Sequence, residues 1–238
     1  MPTAAVKVEP RRVIPVLGSD KVFPVRRIYC IGRNYAEHTR EMGGNPERDA
    51  PFFFMKPSDA VQVIEAGKTN DHPYPPGTSD YHHEVELVVA LKSGGRDISE
   101  KDALSHIYGI AVGLDMTRRD LQAGSKDRRQ PWENGKAADL SAPCGPLTRF
   151  AGKRAILKKG KIELKVNGKV RQTAPLTDMI WSVAEQIAIL SKFYELKAGD
   201  LIFTGTPSGV AAVQKGDIME ASVTGSAGDL TPINLKVA

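Results

Sequence analysis

Residues 161–174 read KIELKVNGKVRQTA. Asn167-Gly168 stands between two strand-like runs, and this dipeptide readily takes the positive φ angles of a tight hairpin turn. Working outward, strand signals recur. Residues 84–91, EVELVVAL, begin with strict alternation and carry β-branched side chains, which predicts a strand. VRRIYCIG (25–32), GIAVGLDM (109–116), DIMEASVTG (217–225) and PINLKVA (232–238) read the same way, and PFFFMKP (51–57) reads as a short buried strand between prolines. Helical stretches are few. NYAEHTREM (34–42) opens at Asn34 with Glu37 three residues on, and Gly43-Gly44 ends it. Ser99 with Asp102, and Thr117 with Asp120, show capping-box spacing. Residues 177–196 place Ile180, Val183, Ile187, Leu190 and Tyr194 on one helical face, a core-packing stripe. Strands and short helices intermingle without βα alternation. The fold class is therefore mainly β with short helices (α+β), not a Rossmann fold or TIM barrel. Residues 1–22 are proline-broken and read as an extended N-terminal arm; 23–238 read as one domain.

The chain has 238 residues, of which 41% are hydrophobic and 26% charged, which excludes collagen-like, coiled-coil and wholly disordered classes. No apolar run approaches the roughly 18 residues of a membrane span. Charges and prolines interrupt the N-terminus where a signal peptide needs an apolar stretch. The expectation is a soluble, cytoplasmic protein without a membrane partner. Cys30 and Cys144 form no CxxC, so neither a disulfide framework nor a cysteine zinc site is expected. The net charge of +5 favours anionic partners. The densest basic stretch, residues 151–165, lacks interleaved aromatics. It reads as solvated surface, with no nucleic acid expected; a non-catalytic anion- or nucleic-acid-binding module is the remote alternative. A small anionic substrate suits the charge better.

His83-Glu84-Val85-Glu86 is the strongest chemical signal. On a strand, Glu84 and Glu86 point to one face and repel unless a cation lies between them. Oxygen-only ligands select Mg2+, Mn2+ or Ca2+ over zinc. The competing reading is a solvent-facing stripe on an edge strand. Asp115 ends an apolar strand before a capped helix, and is either a helix-start residue or a third ligand. His38 and Glu41 are three apart on one helical face. Such a pair can take a proton from water, or it is a surface ion pair. Lys136 either donates to an oxyanion or is surface charge. TGTPSG (204–209) offers backbone donors and hydroxyls but lacks the GK[ST] ending of a phosphate loop.

The segments CIGRNYAEHTREM, PFFFMKPSDAV, HHEVELVVAL, GLDMTRRDLQ, PWENGKAAD, LKVNGKVRQ and LIFTGTPSGV, taken in order, resemble the fumarylacetoacetate hydrolase family over residues 25–238. The resemblance implies a β-roll or sandwich catalytic domain that is usually a homodimer. It implies Glu84, Glu86 and Asp115 as metal ligands, with Mg2+ or Mn2+ first and Ca2+ after them. It implies His38 and Glu41 as the water-activating pair, Lys136 as oxyanion donor, and Arg119, Gln122 and Thr206 as substrate contacts. The activity implied is metal-dependent hydrolysis of the C–C bond of a β-diketo acid with a pyruvyl end. PVRRIYCIGRNYAEHTREMG and PFFFMKPSDAV are most similar to bacterial members of gentisate breakdown, which implies fumarylpyruvate as substrate, with fumarate and pyruvate as products. The alternatives in the family are acylpyruvase, oxaloacetate decarboxylase and dienedioate isomerase. Arg33, Lys56 and Arg118 are the candidates to hold the far carboxylate of such a dicarboxylate or keto-acid substrate.

Overall fold

The Asn167-Gly168 turn forms as its sequence demands, with φ of 52° and 73°. It joins Lys161–Val166 to Lys169–Pro175, with Val166 opposite Lys169. The structure is a computed structural model that describes residues 5–41, 50–151, 154–225 and 228–238. The hairpin belongs to a five-stranded sheet that continues through Ile218–Thr224, Ile233–Val237 and Thr69–His72. A larger, eight-stranded sheet runs in the order Phe52–Lys56, Ile28–Gly32, Leu201–Phe203, Val85–Leu91, Ile107–Leu114, Ala142–Cys144 and Val61–Val63, with Thr148–Arg149 also paired to Ile107–Leu114.

The two sheets face each other. Ile162, Leu164, Met219, Val223 and Leu235 of the smaller pack in one core with Val85, Leu87, Val89 and Leu91 of the larger. The intervening Val88 and Ala90 enter a second core with Ile14, Phe23, Ile28 and Phe203. All seven residues of Val85–Leu91 are therefore buried. Period-two alternation here sorts side chains between two apolar layers rather than between core and solvent. The mainly β expectation is borne out, with 38% strand against 21% helix among the described residues. Among the described residues, no helix is long and apolar enough to cross a membrane.

Local expectations fared unevenly. The helix expected over 177–196 begins only at Val183, after a capping box in which Ser182 and Glu185 satisfy each other's backbone N–H. Ile180 lies before it, while Val183, Ile187 and Leu190 do enter the core. Ser99 caps Glu100–Ala103 as expected. Asn34 is no cap: its side chain is fully buried and binds Trp181 and Thr204 backbone groups at 2.7–3.0 Å. Asp120 instead receives Thr78 Oγ1 and Ser79 N, pinning a loop from another part of the chain. Phe52–Lys56 is an edge strand, with Phe52 38% and Met55 44% exposed, so its apolar run is only half buried. Within the segment expected as an arm, Val13–Pro15 pairs with Val22–Pro24, and Ile14 is buried. Gly43-Gly44 lies outside the described residues.

His72, at the end of the Thr69–His72 strand, is fully buried and holds one tautomer. Its Nδ1 lies 2.6 Å from Gln62 Oε1, an acceptor only, so Nδ1 donates and Nε2 accepts from the Tyr81 hydroxyl at 2.9 Å. Burial pushes its pKa down from 6.5 to about 4. A histidine depressed on folding favours the unfolded state progressively as pH falls from its ordinary pKa towards its folded one. Between pH 7 and 5 this residue should remove on the order of 2 kcal/mol of stability. Urea titrations across that window should show the decline, and His72→Gln should flatten it; an equal slope in the variant would assign the acid sensitivity elsewhere.

Candidate active site

Three acids meet where the chain passes between sheets. Glu84 joins Tyr81–His83, in a small three-stranded sheet, to Val85–Leu91 in the large one. Antiparallel pairing sets Val85 opposite Leu114 and Glu86 opposite Gly113. The next step along each strand brings Asp115 across from Glu84, and Asp115 N donates to Glu84 O at 2.8 Å. Carboxylate oxygens from Glu84, Glu86 and Asp115, all buried, lie within 4.8 Å of one another. Two oxygens on one hard cation sit at most about twice the 2.0–2.6 Å coordination distance apart, so the cluster suits Mg2+, Mn2+ or Ca2+. Val85–Leu91 is a central strand and both glutamates are buried, so the edge-strand alternative is excluded.

Cations surround these acids. Lys136 is 2% exposed, not a surface lysine. Its Nζ lies 2.9 Å from Glu84 Oε2 and 2.7 Å from Asp115 Oδ2. Arg119 donates to Glu84 Oε1 and, from NH1 at 2.6 Å, to Gln122 Oε1. Burial alone would raise the Glu84 pKa, but the Lys136 and Arg119 charges overcome it and hold the carboxyl well below its usual range. Glu86 goes the other way: burial, with Asp115 and Glu84 beside it, holds its pKa well above 4.5. A divalent cation in the cluster would compete with the proton that Glu86 holds more tightly than a free carboxyl does. Asp115 Oδ1 has the Lys56 ammonium at 2.9 Å but without hydrogen-bond alignment, leaving lone-pair capacity for a ligand bond. The donor set fits a hard divalent ion.

The TGTPSG turn completes the site. Gly205 N donates to Glu86 Oε2 at 2.8 Å, and Gly209 N donates to the Glu41 carboxylate at 3.1–3.2 Å. Both glycines have positive φ, and a Cβ at Gly209 would sit 1.9 Å from Arg171 O. Glu41 Oε2 in turn lies 3.3 Å from Nδ1 of the buried His38, turning the imidazole so that Nε2 is left for the cleft. Burial lowers the His38 pKa, with Glu84 and Glu41 partly opposing, so the ring is neutral at pH 7. Thr206 Oγ1 accepts from Gln172 at 2.8 Å, and Gln172 Oε1 also receives Val85 N. Gln172 carries no obvious motif in the sequence and was not foreseen; it fixes Thr206 from the opposite sheet.

A cleft is lined by His38, Glu84, Glu86, Arg119, Gln122, Lys136 and Thr206. Asp115 sits beneath it through Lys136. Of the three far-carboxylate candidates, only Arg33 lines this cleft. Lys56 is buried on Asp115, Ser141 and the carbonyls of Met116 and Lys136, which makes it a support for Asp115. Arg118 donates to Pro76 O instead. Three further lining residues, Phe54, Lys126 and Trp132, escaped the sequence reading. Lys126 carried a signal: it follows Gln122 by four and Arg119 by seven on the Arg119–Asp127 helix, the spacing of one face.

A family model described as fumarylacetoacetate (FAA) hydrolase C-terminal matches residues 27–234. A fumarylpyruvate hydrolase from Ralstonia is 44% identical over 176 residues, covering 74% of this chain and 88% of that one. A mitochondrial oxaloacetate decarboxylase from Dictyostelium discoideum is 38% identical over 202 residues, covering 84% and 89%. The crystal structure of Pseudomonas aeruginosa fumarylpyruvate hydrolase, in complex with Mn2+ and pyruvate, superposes with a TM-score of 0.95 at 47% identity over 99% of both chains.

Because Glu86 holds its proton more tightly than a free carboxyl does, a bound cation competes with that proton, and Mn2+ affinity should rise with pH. Calorimetric Mn2+ titrations from acid to neutral pH read this directly; an affinity independent of pH contradicts the raised Glu86. Glu41 holds the His38 pKa up, so Glu41→Gln should move the acid limb of the pH–rate profile to lower pH as well as slow turnover.

Proposed function

The chain belongs to the fumarylacetoacetate hydrolase family, and from that premise we propose that it hydrolyses fumarylpyruvate to fumarate and pyruvate. The observation that carries this reading is the meeting, in one cleft, of a buried carboxylate cluster and an imidazole oriented by a carboxylate. Similarity to fumarylpyruvate hydrolases at 44% and 47% identity supports the substrate.

Glu84, Glu86 and Asp115 would hold the divalent cation, which when bound supplies Lewis-acid stabilisation of the pyruvyl half. His38, neutral and steered by Glu41, takes a proton from water at Nε2. The water oxygen bonds to the carbonyl carbon of the fumaryl half. The bond from that carbon to the pyruvyl methylene breaks, and the methylene carbon takes the proton from His38, giving fumarate and pyruvate. Lys136 has two N–H donors committed to Glu84 and Asp115 and one left for the cleft. Gln122, whose Oε1 is bound by Arg119, offers its NH2. Both donate to the oxygen where negative charge develops. Thr206, already accepting from Gln172, donates its own proton to the substrate. Arg119 holds Glu84 and Gln122 and keeps donors for a substrate oxygen.

Oxaloacetate decarboxylation, the activity named for the Dictyostelium relative, is the second reading. It uses the same cation site but leaves the His38–Glu41 pair without a water to activate. The reading also carries a catalytic domain over 23–238 behind an arm at 1–22, a homodimer, a cytoplasmic location and a place in gentisate breakdown.

Glu84→Ala and Asp115→Ala should each abolish turnover, as should excess chelator, with Mn2+ restoring only the chelated wild type. Full activity in chelator contradicts the role of the cluster. His38→Ala should lower kcat by about 10²–10⁴ while calorimetric Mn2+ affinity stays near wild type. Rates on fumarylpyruvate, acetylpyruvate and oxaloacetate separate the readings; comparable kcat/KM on all three defeats a fumarylpyruvate assignment.

A further inference from the structure

We propose that Lys126, shelved on Trp132, is the anchor for the distal carboxylate of the substrate and sets the preference for dicarboxylates. The inference rests on the hydrolytic reading above for the identity of that substrate. Four cations line the cleft: Arg33, Arg119, Lys126 and Lys136. Lys136 is committed to Glu84 and Asp115, and Arg119 to Glu84 and Gln122. Lys126 has no ion-pair partner among the described residues; its contact is with the Trp132 ring, 4.8 Å from Nζ to the centroid. It is half-buried, and a partly desolvated ammonium without a counter-ion invites an anion. Arg33, Arg119 and Lys136 all lie close enough to lower its pKa after burial has done so, and an incoming carboxylate relieves that repulsion.

Placement fits the substrate's shape. Lys136 Nζ lies 4.9 Å from the Phe54 ring, Phe54 is 6.2 Å from Trp132, and Trp132 carries Lys126. Two aromatic rings therefore link, by successive contacts, the lysine at the carboxylate cluster to Lys126. Fumarylpyruvate is a chain with a carboxylate at each end and a flat conjugated segment between. With its pyruvyl end at the cluster, the flat segment runs along Phe54 and Trp132, and the far carboxylate reaches Lys126. Acetylpyruvate has the same pyruvyl end and no far carboxylate.

The test compares wild type, Lys126→Gln and Lys126→Arg on fumarylpyruvate and acetylpyruvate at saturating Mn2+. Loss of a charge-assisted hydrogen bond corresponds to about a 10- to 100-fold change. Lys126→Gln should lower the ratio of kcat/KM values, fumarylpyruvate over acetylpyruvate, by that factor, mainly through KM. Lys126→Arg should restore most of it. A ratio unchanged in Lys126→Gln overturns the proposal, as does an equal fall on both substrates. If wild type fails to hydrolyse fumarylpyruvate, the reaction proposed above is wrong. The anchor is then judged by equilibrium binding of fumarylpyruvate and acetylpyruvate to the Mn2+-loaded proteins. A dicarboxylate advantage present in wild type and lost in Lys126→Gln upholds it; no advantage, or one retained in the variant, overturns it.

Discussion

Three carboxylates crowded into a dry junction repel one another, and the structure around them is organised to contain that repulsion. Glu84, Glu86 and Asp115 are each at most 5% exposed. Water cannot screen them, so the chain supplies Lys56, Lys136 and Arg119 in direct contact. The compensation is uneven. Glu84 and Asp115 receive all of these charges, while among the described residues Glu86 is met by a backbone amide alone. That asymmetry pushes the Glu84 and Glu86 pKa values apart and leaves one position where a divalent cation gains most. Lys56, buried against Asp115, Ser141 and two backbone carbonyls, does not line the cleft.

The 204–209 turn ties both halves of the chemistry to one piece of backbone. Gly205 N addresses a carboxylate of the cation cluster, and Gly209 N addresses the carboxylate that orients His38. Thr206 lies between them, steered by Gln172 from the five-stranded sheet. Asn34 fixes this turn to the segment preceding the His38 helix by bonding Thr204 O. The hydroxyl, the acid cluster and the imidazole therefore cannot move independently, which is what a site needs to hold reacting groups within hydrogen-bond reach. Other parts of the cleft lining are built differently, from the Phe54 and Trp132 rings and a lysine with no acidic partner among the described residues.

Much was legible in the chain alone. Asn167-Gly168 specified its hairpin because only a few residues tolerate two positive φ angles in succession. The Glu84-x-Glu86 spacing put two acids on one face because strand periodicity is local, and His38–Glu41 were paired by helical spacing for the same reason. Ser99 capped its helix for equally local reasons, whereas Asn34 and Asp120 had capping spacing and were drawn off by distant loops. Which apolar run is buried on both faces also escaped local reading: Phe52–Lys56 looks as apolar as Val85–Leu91, yet it took the sheet edge.

Local periodicity thus determined the residue types, the turn and the two acid-bearing elements, because those depend on backbone torsions a few residues apart. Register and strand order were decided only in three dimensions. Antiparallel pairing alone brings Asp115 across from Glu84, thirty-one positions away in the sequence. Sheet packing alone sets Gln172 on Thr206, and a helix face turned into a cleft alone sets Lys126 over Trp132. Such contacts arise from burying two sheets against each other, a non-local sum of many small packing energies that no short window of sequence encodes.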